Sequence, residues 1–317
     1  MSIPIRAPIL LAPEVREALA EGQPVVCLES AIVTHGLPAP HNTQSIWRAA
    51  RAARNANAVF GTVGVLEGKI KIGLSDDELR ALGDPSASPH KVGVRDLAFA
   101  IAQRWTGGTT LGATAWIASR VGVRVIVTGG IGGVHRAPHR DESADLTILS
   151  QAPVAVVCAG PKAICDLEAT LERLETLAVP VVGMGARELP GFFYNDTGID
   201  LDHTVDDEAS AARVFVAQRA LERKGGVLYV CQVPQAAALC RKEVEGVIER
   251  ANTRAAEEGV CGKALTPYLL QAVQNEIGTA AISVNLGVLE SNAFVAGRLA
   301  RHLAREVPGP PPFLEGA

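Results

Sequence analysis

Aromatic residues are scarce in this 317-residue chain, only 4% of the total. A core with few rings has to be filled by Ala, Val, Leu and Ile, which favours helices on a parallel sheet over a β-sandwich. Cysteine pairs are missing too: the six cysteines, at 27, 158, 165, 231, 240 and 261, include no C-x-x-C spacing. This argues against a zinc site built on cysteine and leaves them as small buried hydrophobes in a reducing compartment. The formal net charge is −4 and the basic residues are scattered, so the electrostatic footprint of a nucleic-acid binder is absent. The first residues show no charged n-region leading into a sustained apolar run, and no apolar stretch reaches transmembrane length. The expectation is a cytoplasmic protein that engages neither nucleic acid nor membrane.

What is present is regular alternation of helix and strand signals. The length and a hydrophobic content of 48% suit one large α/β domain. With no linker or internal repeat in view, residues 1–307 read as a single domain and the proline-rich 308–317 as a tail. Helices are predicted over 13–19 and 43–55, the latter capped by Asn42 or Thr43. A hairpin is predicted from 58–65 and 69–73, turning at Glu67-Gly68. Ser75-Asp-Asp-Glu78 is a capping box, and helices follow over 95–104 and 111–121. Buried strands are read at 25–28, 124–128, 154–158, 180–184 and 226–231, with helices over 206–223, 241–258, 267–277 and 284–304.

The chemistry concentrates between Val127 and Lys162. Gly129-Gly130-Ile131-Gly132-Gly133 follows a strand, so it reads either as a tight turn or as backbone amides brought close to a ligand. It lacks the spacing of a dinucleotide fingerprint. Gly107-Gly108-Thr109-Thr110 precedes a helix and could hold a phosphate at its N-terminus. Gly262-Lys263 looks like the end of a P-loop, but Glu257 and Ala264 stand where that motif needs Gly and Ser/Thr. His135, His139, Asp141 and Asp145 could ligate a metal, with the carboxylates favouring magnesium or manganese and the histidines admitting zinc. Equally, they could form a polar loop in which Asp141 or Ser143 caps a helix.

Lysine is rare here and arginine abundant, so Lys162 at a strand end is pointed. A partly desolvated lysine can add to carbonyl carbon; the alternative is a lysine snorkelling from a helix start. Glu29, ending the 25–28 strand, is its natural carboxylic acid partner, though alone it could be a cap or an ion-pair residue.

These residues together resemble the pseudouridine-5′-phosphate glycosidase family, also called the indigoidine synthase A-like family, from about residue 25 to 296. The resemblance rests on Leu28-Glu29-Ser30 with His35-Gly36 and Pro38, Lys91 with Arg95-Asp96-Leu97, and Gly107 to Thr110. Its strongest part runs from Thr128 through Gly129–Gly133 to Val134-His135-Arg136, then Ser143 to Leu146, and Val156 to Gly160 with Lys162. Gly262-Lys263, Thr266-Pro267, Asn285 and Asn292-Ala293 complete it.

The resemblance implies a three-layer α/β/α fold, commonly a homotrimer, around a largely parallel or mixed sheet. It also implies reversible cleavage of the C–C bond between ribose 5-phosphate and uracil. Lys162 would be the nucleophile that forms an iminium at C1′, and Glu29 the general acid/base. Asp141 matches the metal-binding aspartate, usually with manganese. Lys91, Thr110, Leu111, Ser143, Ala144 and Asp145 match substrate-binding positions, as do His135 and Asn285. The family usually has threonine where Ala31 stands and Asp-Ile-Ser-Ala-Asp where this chain has Asp-Glu-Ser-Ala-Asp. Gly183-Met184-Gly185-Ala186 and Gln232-Val233-Pro234 also depart from it. Two further readings stay open: a C-glycoside synthase of secondary metabolism using another enol-like acceptor, and a non-catalytic phosphosugar-binding protein.

Overall fold

The five apolar runs marked as buried strands lie together in one sheet, each within a residue or two of its predicted limits. A computed structural model describes residues 9–139 and 141–306, and the tail expected at 308–317 lies outside the described residues. The first elements are β1 (Ile9–Leu11), α1 (Pro13–Ala20), β2 (Val25–Glu29), α2 (Ala31–His35), α3 (His41–Asn55), β3 (Val59–Leu66) and β4 (Lys69–Ile72). Next come α4 (Asp76–Leu82), β5 (His90–Val92), α5 (Leu97–Ala102), β6 (Gly107–Thr109), α6 (Leu111–Arg120) and β7 (Val125–Val127). The middle of the chain forms β8 (Val134–His135), α7 (Ala144–Leu149), β9 (Ala155–Cys158), β10 (Cys165–Asp166), α8 (Leu167–Thr176) and β11 (Val181–Met184). It closes with β12 (His203–Val205), α9 (Glu208–Ala220), β13 (Val227–Cys231), α10 (Arg241–Glu257), α11 (Leu265–Ile277) and α12 (Thr279–Glu306).

The main sheet runs β1-β4-β3-β2-β7-β9-β13-β11-β12. Its pairings are parallel except where β3 meets β4 and β6. Residues alternate between faces as a pleated strand requires. In β2, Val25 and Cys27 join one apolar cluster with α1, α6 and α8, while Val26 and Leu28 join another with α3, α9 and α12. Both faces are therefore covered, giving the three-layer α/β/α arrangement. A third cluster joins α10, α11 and the start of α12 to Phe192, Phe193 and Tyr194.

β2 stops at Glu29, opposite Val63, and β6 takes up the same side of β3 at Gly64 and Val65. Ser30 bridges the change: its hydroxyl donates to the Val63 carbonyl and accepts from the Thr109 amide. This handover opens the sheet immediately after Glu29.

Several expectations need correction. Asn42 and Thr43 do not cap α3, which starts earlier behind Pro40; the Asn42 amide instead donates to the carbonyls of Val33 and Gly83, tying α2 to α4. The helix expected over 95–104 is a 3-10 turn at Val94–Asp96 followed by α5. Gly107 to Thr109, given no element from sequence, is a strand, with Thr110 as N-cap of α6. α12 starts at Thr279, ahead of the expected 284, and by length and composition alone could cross a membrane. Half of its apolar window is buried against the sheet, α3 and α9, so it is a core helix. α8 is absent from the sequence reading; Asp166 caps it by accepting from the Ala169 amide. The hairpin and the capping box form as expected, with Glu67 and Gly68 both at positive φ.

Gly160, just past β9, has φ +81, and a Cβ there would lie 2.0 Å from the Pro190 carbonyl oxygen. Gly160→Ala should therefore destabilise the fold by roughly 3 kcal/mol or more. Urea denaturation checks this; a loss below about 1 kcal/mol would contradict such tight packing of the two segments.

Candidate active site

Three neighbouring parallel strands, β2, β7 and β9, deliver their C-terminal ends to one cavity of about 430 Å³. An open α/β sheet places ligands at such strand ends. Glu29, at the end of β2, is only 7% exposed. Its Oε1 accepts a hydrogen bond from the Thr128 hydroxyl at 2.6 Å, and its Oε2 is buried with no partner. Burial raises its pKa to about 7, against weaker lowering by the Thr128 hydroxyl and the Lys162 charge; Asp145 adds to the rise. A carboxyl group that exchanges its proton near neutrality is matched to acid–base work.

Lys162 follows β9 and the Gly160 turn. Its backbone amide donates to the Ile131 carbonyl at 3.0 Å, and its Nζ donates to the Gly130 carbonyl at 2.5 Å. Gly130 is glycine for lack of space, since a Cβ would lie 2.6 Å from the Phe192 ring. The glycine turn after β7 thus seats the amine, while Thr128 at its head touches the acid.

Asp145, in the first turn of α7, is 8% exposed. One of its oxygens accepts from the Gly112 amide at 2.8 Å and the other from the Gly132 amide at 3.2 Å. It therefore ties the start of α6 to the glycine turn and occupies part of the helix N-terminus considered for a phosphate. Ser143 caps α7 by accepting from the Asp145 amide, and Ala144 is the first residue of that helix. Thr110 caps α6, accepting from the Ala113 amide, and Leu111 opens it. Lys91 lies on β5, and its charge acts with burial to lower the pKa of His35. Asn285 lies on α12 and donates to the Ala281 carbonyl.

Of the metal candidates, His135, Asp141 and Asp145 line the cavity and His139 does not. His135 Nε2 is hydrogen-bonded to the Thr266 hydroxyl at 2.9 Å. Its Nδ1 lies 3.0 Å from Asp141 Oδ1, but the alignment is poor for a hydrogen bond, and both atoms are buried without a hydrogen-bond partner. Among the described residues no three His, Cys, Asp or Glu side chains cluster as metal ligands. A closed zinc site is thus not formed. A carboxylate such as Asp141, with an oxygen that has no hydrogen-bond partner, suits a hard cation whose remaining ligands are water oxygens.

Glu29, Lys91, Thr110, Leu111, His135, Asp141, Ser143, Ala144, Asp145, Lys162 and Asn285 all line this one cavity. Residues given no role from sequence line it too: Thr128, His35, Phe192, Phe193, Thr266 and Gln274. The aromatic wall had a signal, three consecutive rings from Phe192 to Tyr194 in an aromatic-poor chain. Arg136 braces the site from behind. It donates to the Ala163 and Cys165 carbonyls just past Lys162 and pairs with Glu245 of α10, which also accepts from Tyr194.

Residues 14–302 match the family described as indigoidine synthase A like protein. A pseudouridine-5′-phosphate glycosidase of Myxococcus xanthus is 44% identical, over 92% of this chain and 97% of its own. One from Caldanaerobacter subterraneus is 42% identical, over 92% and 96%. The crystal structure of an indigoidine synthase A-like protein from Thermotoga maritima superposes with TM-score 0.85 at 32% identity, covering 94% of this chain and 97% of that one. The prealnumycin C-glycosynthase AlnA, solved in complex with ribulose 5-phosphate, superposes with TM-score 0.86 at 33% identity and the same coverage.

The raised pKa of Glu29 carries a stability consequence. Between its ordinary value of 4.5 and about 7, the folded chain keeps the proton that the unfolded chain releases, so stability falls as pH rises through that window. The loss levels off above pH 7 at about 3 kcal/mol. Glu29→Gln should match the wild type in urea denaturation at pH 4 and be more stable by up to that amount at pH 8. A difference independent of pH would contradict the burial argument.

Proposed function

The chain belongs to the indigoidine synthase A-like family, and from that membership we propose that it is a C-ribosyl lyase acting on the C–C bond between ribose 5-phosphate and uracil. The observation that carries this reading is the presence of a desolvated carboxyl, Glu29, and an amine, Lys162, on the wall of one cavity. Breaking this carbon–carbon bond heterolytically needs a group that accepts the electron pair on one side and a group that stabilises the cation left on the other. The uracil carbonyls are the acceptor, and the lone pair of a lysine nitrogen bonded to C1′ is the stabiliser.

In the cleavage direction, Glu29 gives its proton to the ring oxygen as the C1′–O4′ bond breaks, and the Lys162 nitrogen bonds to C1′. The bonded nitrogen then gives a proton back to Glu29, the C1′–C5 bond breaks as the freed nitrogen lone pair forms the iminium, and C5 of uracil takes that proton from Glu29. Water adds to the iminium, releasing ribose 5-phosphate and the free amine. Glu29 can both give and take a proton because its pKa lies near neutrality.

Lys91, Thr110, Leu111, Ser143 and Ala144 would bind the sugar phosphate, with Asp145 fixing the shape of that pocket. His135 and Asn285 would orient the remainder of the substrate. Asp141 would hold a manganese ion, which when bound supplies positive charge beside the sugar phosphate. We read the working enzyme as a cytoplasmic homotrimer. The likeness to AlnA favours a second reading, in which the same half-reaction joins ribose 5-phosphate to a different cyclic acceptor.

Incubation with pseudouridine 5′-phosphate and manganese, followed by chromatography, tests the first reading. Uracil and ribose 5-phosphate should appear; Glu29→Gln should slow release on the order of 10²–10⁴-fold. Lys162→Ala should abolish it, and Asp141→Ala should raise the manganese concentration required. Release undiminished in Lys162→Ala would overturn the covalent reading. Condensation with another cyclic acceptor but not with uracil would select the synthase.

A further inference from the structure

Asn292 lies on the inner face of α12 and is fully buried. Its Nδ2 donates to the carbonyl of Thr128 at 2.9 Å and, more weakly, to that of Gly129 at 3.4 Å. Since both neighbours are acceptors, the amide has to present its nitrogen to them, and its Oδ1 is left buried with no partner. An unsatisfied buried acceptor costs roughly 1–3 kcal/mol, and here the Asn292 oxygen bears that cost while its nitrogen satisfies the Thr128 carbonyl. The amide is an expensive choice for packing and a useful one for holding a backbone.

The backbone it holds needs an external anchor. Gly129 and Gly130 have no side chains with which to pin themselves, and such a segment loses more entropy on ordering than any other. Functional contacts leave from both sides of the anchored peptide. The Thr128 hydroxyl donates to Glu29, and the Gly130 carbonyl accepts from Lys162. We propose that Asn292 is a positioning residue: by fixing the 128–129 peptide against α12, it keeps the Thr128 hydroxyl on Glu29 and the Gly130 carbonyl on Lys162. The inference rests on the reading of Glu29 as the acid/base.

The charged groups acting on Glu29 are Lys162, from beyond β9, and Asp145, from α7, with the Cys158 thiol also nearby. Asn292 carries no charge, so its replacement changes none of these directly. Any change it makes in the titration of Glu29 has to travel through geometry. If Thr128 is the intermediary, removing Asn292 once the Thr128 hydroxyl is gone will change nothing more.

The test is a pH titration of the protonated-carboxyl infrared band of Glu29, identified by its absence in Glu29→Gln, on the full-length protein without substrate. Thr128→Val should move the midpoint to higher pH, by about one unit, because a hydrogen bond favouring the charged form is lost. Asn292→Leu should move it in the same direction, and the double variant should titrate like Thr128→Val alone. Asn292→Ala is read in the same way should the leucine variant fail to fold. Leu299→Ala, elsewhere on α12, should lose stability without moving the midpoint. An unmoved midpoint in the Asn292 variants, or a further shift in the double variant, would overturn the proposal. Turnover of pseudouridine 5′-phosphate by the wild type tests the parent reading separately: midpoints moving as expected without turnover would leave the positioning role standing and remove the function.

Discussion

A carboxyl group held at the end of a strand buried on both faces is the constraint on which the rest of this site depends. Glu29 is largely withdrawn from water, and one of its oxygens has no hydrogen-bond partner, so it keeps its proton to about neutrality. Left alone, that arrangement would only cost stability. It becomes useful because the neighbouring strand ends supply a hydroxyl from Thr128 and an amine from Lys162. Strand order does this work: β7 lies between β2 and β9, so the glycine turn that follows it stands between acid and amine.

The surrounding structure serves to keep that turn in place. Asn292 holds it from α12, Asp145 holds Gly132 and the start of α6, and the Phe192 ring fills the space that a side chain at Gly130 would need. Arg136 secures the segment after Lys162 against α10. Each contact fixes backbone rather than substrate. Preorganisation of this kind makes a proton transfer or nucleophilic addition depend little on reorganisation at the moment of reaction.

Much of the fold was legible because buried parallel strands read as continuous apolar runs, and β2, β7, β9, β11 and β13 all do so. The Ser75 capping box and the Glu67-Gly68 turn were legible because each is a local chemical device. Misreadings arose where a polar side chain acts at long range. Asn42 resembles a cap, but its amide is spent on Val33 and Gly83. The short strands β5 and β6 carry no periodic signal, so neither was legible. Many of the site residues gather in one cavity because Glu29, Thr128 and Lys162 stand at or just past strand ends and Thr110, Leu111, Ser143 and Ala144 at helix starts. What one sequence could not convey was which of them face the cavity freely and which, like Asp145, have their oxygens bound to backbone amides.

Trapping with borohydride tests the central claim, the pairing of Lys162 with Glu29, most directly. The full-length protein is incubated with ribose 5-phosphate and manganese, reduced, digested and mapped by mass spectrometry. The account predicts a reduced sugar-phosphate adduct on Lys162 that is absent in Lys162→Ala and forms more slowly in Glu29→Gln. No adduct, under conditions where binding of ribose 5-phosphate is shown independently, would contradict it and leave a phosphosugar-binding protein with the fold of an enzyme.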